Sequence, residues 1–267
     1  MNSDGAHGKA ITSHSVFGAP CWVSLATRDL RAAQDFYHAV LGWEWQADTK
    51  LGDQYQVARG NGIPVAGVSE VDFVAKTAVA WTPYFAVTSA DETVARSQER
   101  GGTTAVGPIS LPPGRVALMA DREGAVFGVW EGQLVAGWEE WRRAAPTFVK
   151  LHTRDAFDAA IFYGEVLGWA SSLPGCCEVR YEDNEVVLRS RGDIVARIHS
   201  GAVETAPDPA LRPRWQIHFA VADVEACARA ARAHGGGGGE QLGVAPAEAV
   251  LTDPDGARFT VTGPTTR

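Results

Sequence analysis

Three pairs of polar residues in the second half of the chain have types suited to chemistry. They are Lys150 and His152, Arg197 and His199, and Gln216 and His218. A spacing of two on a strand puts both side chains on one face. Histidine changes charge near neutral pH and can move protons. A lysine or arginine beside it would stabilise an oxyanion. The set would suit a carboxylate, phenolate or enolate. The first half instead offers Trp22, Tyr84 and Trp130, which would hold a flat organic ligand with one phenol as polar handle. A plainer reading stands beside each: aromatics usually fill cores, and a lysine can run its stem to the rim and leave its charge in water.

The elements that must position these residues come in two copies. Trp22 to Trp43 reads Trp-Val-Ser-Leu-Ala-Thr-Arg-Asp, then Leu-Arg-Ala-Ala-Gln-Asp-Phe-Tyr-His-Ala-Val-Leu-Gly-Trp. Phe148 to Trp169 keeps Thr-Arg-Asp, Phe-Tyr and Leu-Gly-Trp at a constant offset of 126 (148 − 22 and 169 − 43). Trp22 to Thr27 alternates as a strand does. Asp29 is placed to cap a helix whose stripe is Leu30, Ala33, Phe36, Tyr37 and Val40, and Gly42 ends it. Short strands are expected at 55–59 and 65–71, joined by the hairpin signal Asn61-Gly62. A second unit follows: a strand at 84–88, a helix at 91–99, then strands at 116–119 and 126–130 joined by the turn Asp121-Arg122-Glu123-Gly124. The second half repeats this order, with Trp215 to Val221 answering Trp81 to Val87 and Asp253 to Gly256 answering that turn. The glycine run 235–239 lacks the Lys-Ser/Thr of a phosphate loop and reads as a flexible link between helix and strand.

Composition narrows the class. An apolar content of 45% supports packed cores, while a net charge of −8 argues against nucleic acid or an anionic membrane surface as partner. No apolar run reaches the ~20 residues that span a bilayer. The spacing of Cys21, Cys176, Cys177 and Cys227 fits no zinc motif and suits reduced thiols in a cytoplasmic protein.

The order of elements, together with Trp-Val-x-Leu-x-Thr-x-Asp, Phe-Tyr, Leu-Gly-Trp, Trp81-x-x-Tyr-Phe-x-Val and the Asp-x-x-Gly-x-x-Phe turn, resembles the vicinal oxygen chelate superfamily. That group includes glyoxalases, bleomycin-resistance proteins and extradiol dioxygenases, and the likeness is closest to its two-domain actinobacterial glyoxalase-like branch. The resemblance implies an α+β fold. Two tandem domains, 18–131 and 147–264, would each be built of paired βαβββ modules as a curved mixed sheet around a pocket. A flexible tail (1–17) and a linker (132–146) complete the chain. Trp138 and Trp141 suggest that the linker packs on something.

Metal-dependent members of that superfamily place three ligands in the pocket. Carried over, those positions are Trp22, Tyr84 and Gly128 in the first half and Phe148, His218 and Thr260 in the second. Only His218 is a good ligand, and one imidazole does not hold a divalent ion. No metal or other cofactor is therefore expected. The implied pocket face carries Trp22, Tyr84 and Trp130 in the first domain. In the second it carries Lys150, His152, Gln216, His218 and Thr260, with Arg197 where the first has Gly67. Two functions follow. One is metal-independent binding of an aromatic or anionic metabolite through Trp22, Tyr84, Trp130, Arg197, Gln216 and Thr260. The other is a metal-free isomerase, lyase or cyclase with His218, His152 and Lys150 as its catalytic set and the second domain as the place of chemistry. A metal-dependent glyoxalase or dioxygenase, or a structural protein with filled pockets, ranks behind both. The expected partner is a small molecule, with the chain a monomer or homodimer.

Overall fold

The computed structural model describes residues 11–48, 52–70, 79–135, 138–143, 147–169, 171, 177–182, 185–190, 192–202, 212–242 and 247–264. In the first domain, β1 (Pro20–Thr27), α1 (Leu30–Leu41), β2 (Glu44–Asp48), β3 (Gly52–Gly60) and β4 (Ile63–Glu70) form one module. The next comprises β5 (Ala80–Ala86), α2 (Ala90–Glu99), β6 (Thr103–Leu111), β7 (Gly114–Ala120) and β8 (Val126–Gly132). The linker helix α3 (Trp138–Arg143) leads to the second domain. There β9 (Thr147–Thr153), α4 (Ala156–Leu167), β10 (Glu178–Glu182), β11 (Glu185–Ser190) and β12 (Asp193–Ser200) precede β13 (Arg214–Ala220), α5 (Val224–Ala233), β14 (Gly237–Leu242), β15 (Glu248–Thr252) and β16 (Arg258–Thr262).

Each domain is one eight-stranded mixed sheet, ordered β2-β3-β4-β1-β5-β8-β7-β6 and β10-β11-β12-β9-β13-β16-β15-β14. The two modules of a domain meet along one antiparallel seam, β1 on β5 and β9 on β13, flanked by parallel pairs. Local signals set the first helix as the sequence predicts. Asp29 accepts a hydrogen bond from the Ala32 amide (2.9 Å), and Gly42 ends α1 in the left-handed region at φ 69°.

Two expectations need correction, and one strand gains its residues. The tail expected to be loose through Phe17 is folded from Ile11. Ser13–Val16 make a 3-10 turn, Ser13 Oγ accepts from the Gly132 amide (3.0 Å), and Val16 is buried. The first strand after α2, which the βαβββ order requires but which was given no residues, is β6, where Gly107 and Pro108 break the alternation. The glycine run belongs in part to β14, where pairing with β15 supplies the order that its side chains do not.

One buried core lies between the two sheets and draws on both domains. Helix α1 packs on α5, and α2 packs on α4. Rings interlock across the boundary, with Trp43 on Phe219 at 5.0 Å and Phe85 on Trp215 at 5.2 Å. At the centre, the Tyr37 hydroxyl donates to Asp253 (3.1 Å) and accepts from Trp81 Nε1 (2.9 Å). Its mirror is Tyr163, which donates to Asp121 (2.9 Å) and accepts from Trp215 (2.9 Å). The Thr-Arg-Asp repeat completes the clasp. Thr27 donates to Asp255 (2.8 Å) and Thr153 to Glu123 (2.7 Å), each reaching the turn of the other domain. The linker packs as expected, since Trp138 and Trp141 are buried and Trp141 Nε1 donates to the Val65 carbonyl (2.9 Å). No helix among the described residues is long and apolar enough to cross a membrane.

Candidate functional site

The faces turned away from the shared core carry the candidate residues. Register puts Trp22 opposite Tyr84 and Tyr84 opposite Gly128 on three adjacent strands. In the second domain, Phe148, His218 and Thr260 stand in the same relation. The two trios are structurally equivalent, but their surroundings differ.

The first sheet holds an open cavity of about 660 Å³. Its floor is Trp22, Ser24 and Tyr84; Trp130, Val116 and Leu134 form apolar wall; and Gln46, Arg59 and Glu70 are among its polar members. Trp22 Nε1 donates to the Tyr55 hydroxyl (2.8 Å), and Tyr55 also lines the cavity. Two glycines make room for these rings. A Cβ on Gly67 would overlap the Tyr55 hydroxyl and come within 2.9 Å of Trp22 Nε1, and one on Gly128 would overlap the Tyr84 ring. Burial pushes the Tyr84 phenol upward and the Tyr55 phenol up to about 12, so both stay neutral at physiological pH. The linker and N-terminal segment join this side: Leu134 donates its amide to the Ile11 carbonyl (2.9 Å), and Trp141 packs on Trp22 at 6.0 Å.

On the second sheet, Lys150 pairs with both Arg197 and Gln216, and His152 with His199, in backbone register. With His218 and Thr260 these residues come together on one face, but none of them lines the cavity. The inward cation expected at Lys150 is neutralised. Glu185, which sequence reasoning missed, lies 2.7 Å from Lys150 Nζ, 2.9 Å from Arg197 and 3.1 Å from His199 Nδ1. Its placement follows from register, Glu185 lying opposite His199 at the start of the β11–β12 hairpin. Gln216 donates to Thr260. The Phe148 ring stacks on the His218 imidazole at 4.2 Å, and His218 Nε2 is buried without a hydrogen-bond partner.

Neither trio fits a divalent metal. The first offers a single phenol, and the second one imidazole, covered by a ring, with a hydroxyl beside it. Among the described residues, no three His, Cys, Asp or Glu side chains are grouped to hold an ion. Cys21 and Cys227 are free and buried, and Cys177 is buried.

Burial and the nearby Lys150 charge push the His218 imidazole down to about 3, and burial with Arg214 and Lys150 does the same for His152. An unfolded histidine titrates near ~6.5. Between those values the unfolded chain binds protons that the folded chain refuses. Stability is therefore unaffected above that range and falls as pH drops through it. At pH 5, His218 alone should account for about 2 kcal/mol of the loss. Urea unfolding of the parent and His218→Gln proteins at pH 7.5 and 5.0 checks this. A parent loss no larger than the variant's would show that the imidazole is not held neutral.

Two eight-stranded mixed sheets in tandem define the class of fold. The Mn(II)-bound glyoxalase from Novosphingobium aromaticivorans superposes with a TM-score of 0.56 at 17% identity, covering 96% of this chain and 84% of that one. The 2,3-dioxygenase LapB from Pseudomonas sp. KL28 gives 0.56 at 13% identity, covering 94% of each chain. The chain belongs to the glyoxalase-like domain family, whose model matches residues 22–130 and 148–262, and so to the vicinal oxygen chelate superfamily. The anthracycline biosynthesis protein DauV of Streptomyces sp. (strain C5) is 31% identical over 267 residues, covering 91% of this chain and 92% of that protein. The proposed glyoxylase CFP32 of Mycobacterium tuberculosis (strain CDC 1551 / Oshkosh) is 30% identical over 260 residues, covering 92% and 95%.

Proposed function

We propose that this protein binds a flat, largely uncharged aromatic small molecule in the first domain, without a metal. The observation that carries the reading is the open cavity of about 660 Å³, whose floor presents Trp22 and Tyr84 at positions where metal-dependent members of the superfamily carry ligands. Its volume lies within the range of ordinary ligand pockets. The relation to an anthracycline biosynthesis protein agrees with an aromatic ligand. A cytoplasmic setting agrees with the free, buried Cys21 and Cys227. Proton transfer in the second domain is the weaker alternative. A base held near 3 is a poor one at neutral pH, and Lys150 is tied to Glu185.

Native mass spectrometry of gently purified, untagged protein tests the reading. The expected spectrum shows the chain alone or with an organic adduct. A stoichiometric transition-metal adduct that chelator removes would overturn metal independence.

A further inference from the structure

The floor of the first-domain cavity has a hydrogen-bonding character of its own. Trp22 Nε1 can only donate, so the Tyr55 oxygen accepts that bond, and the Tyr55 hydroxyl also hydrogen-bonds the Ser24 side chain. Tyr84 lies across Gly128, and among the described residues its hydroxyl has no hydrogen-bond partner. The charged residues of the cavity lining are Asp48, Glu70 and Arg59, and the Asp48 carboxylate acts on Tyr55. The Arg59 guanidinium is already engaged by Gln46 (2.7 Å) and by the Gly62 carbonyl (2.7 Å). Neutral phenols in a lining with two carboxylates and one engaged guanidinium match a carbonyl oxygen better than a carboxylate, which would meet like charge.

We infer that the floor selects a planar polycyclic ligand bearing a quinone- or ketone-type carbonyl, whose oxygen accepts a hydrogen bond from Tyr84. The ring plane lies along the wall formed by Trp130 and Val116. The inference rests on the cavity being a ligand site, and it names the feature of the ligand that the cavity reads.

The test uses two probes that share a sulfonate and a three-ring skeleton: anthraquinone-2-sulfonate and anthracene-2-sulfonate. Both are titrated into the full-length protein by calorimetry, and then into Tyr84→Phe. The quinone is expected to bind about three- to tenfold tighter, the worth of one neutral hydrogen bond, and Tyr84→Phe should remove that advantage while leaving anthracene-2-sulfonate unchanged. Equal affinities for the parent protein overturn the inference and leave the aromatic-ligand reading intact. So does a quinone advantage that survives in folded Tyr84→Phe. Failure of both probes to bind overturns the inference together with the reading beneath it. Should Tyr84→Phe not fold, the comparison of the two probes on the parent protein decides.

Discussion

Replacing Tyr37 with phenylalanine should cost about 2–4 kcal/mol of stability, far more than one exposed hydroxyl is worth. Tyr37 is fully buried, and its hydroxyl serves two groups on different elements, Trp81 Nε1 and the Asp253 carboxyl. Removing it leaves both without that partner in a site that water does not reach. The carboxyl keeps its bonds from the Asp255 and Ala257 amides (3.0 and 2.8 Å), so the turn itself survives. Tyr163→Phe should behave alike, because Trp215 and Asp121 repeat the arrangement. Since the core draws on both domains, the loss should appear in one unfolding transition, seen at the same denaturant concentration by tryptophan fluorescence and by far-ultraviolet circular dichroism. A loss under about 0.5 kcal/mol, the size of an ordinary surface substitution, would mean that the clasp is not a joint support. Two separated transitions would mean the same.

The second large effect concerns ligand binding. Gly128→Val should abolish binding of any aromatic probe while costing about 1–3 kcal/mol of stability, the usual range for overpacking. A Cβ at that position overlaps the Tyr84 ring, so the ring must shift, and that ring lines the cavity. The equivalent Thr260 is accommodated in the second domain because its neighbour on β13 is His218, which stacks on Phe148 instead. Calorimetry with a polycyclic probe, alongside a melting curve to confirm folding, checks the prediction. Binding within threefold of the parent protein's would move the ligand away from the floor.

The fold was readable because it is written twice. Thr-Arg-Asp, Phe-Tyr and Leu-Gly-Trp recur in register, and periodicity assigned their strand and helix. What periodicity could not show is why those residues recur. Tyr37 meets Asp253 across 216 residues, and Thr27 meets Asp255 across 228, so the reason lies in the other domain. The site was partly readable for a similar reason. Strand parity grouped Trp22 with Tyr84, but Tyr55 enters from β3 through space that Gly67 leaves, and only the bare glycine signalled it. Lys150 looked like a free cation because its neutraliser, Glu185, reaches it from two strands away, by way of β12.

The clasp between the halves is reciprocal, and each half contains both of its sides. The first domain brings the donor Tyr37 and the acceptor Asp121, and the second brings Tyr163 and Asp253. Two identical copies of such a half would be self-complementary about a two-fold axis, with every cavity present in duplicate. Joining the copies by a short peptide raises the effective concentration of one for the other to about the millimolar range, without any new contact. It also removes the demand that both cavities remain alike. One copy could keep glycines and an open aromatic floor, while the other filled the same place with Lys150, Arg197 and Glu185. The covalent tether is what permits a symmetric scaffold to hold two unequal chambers.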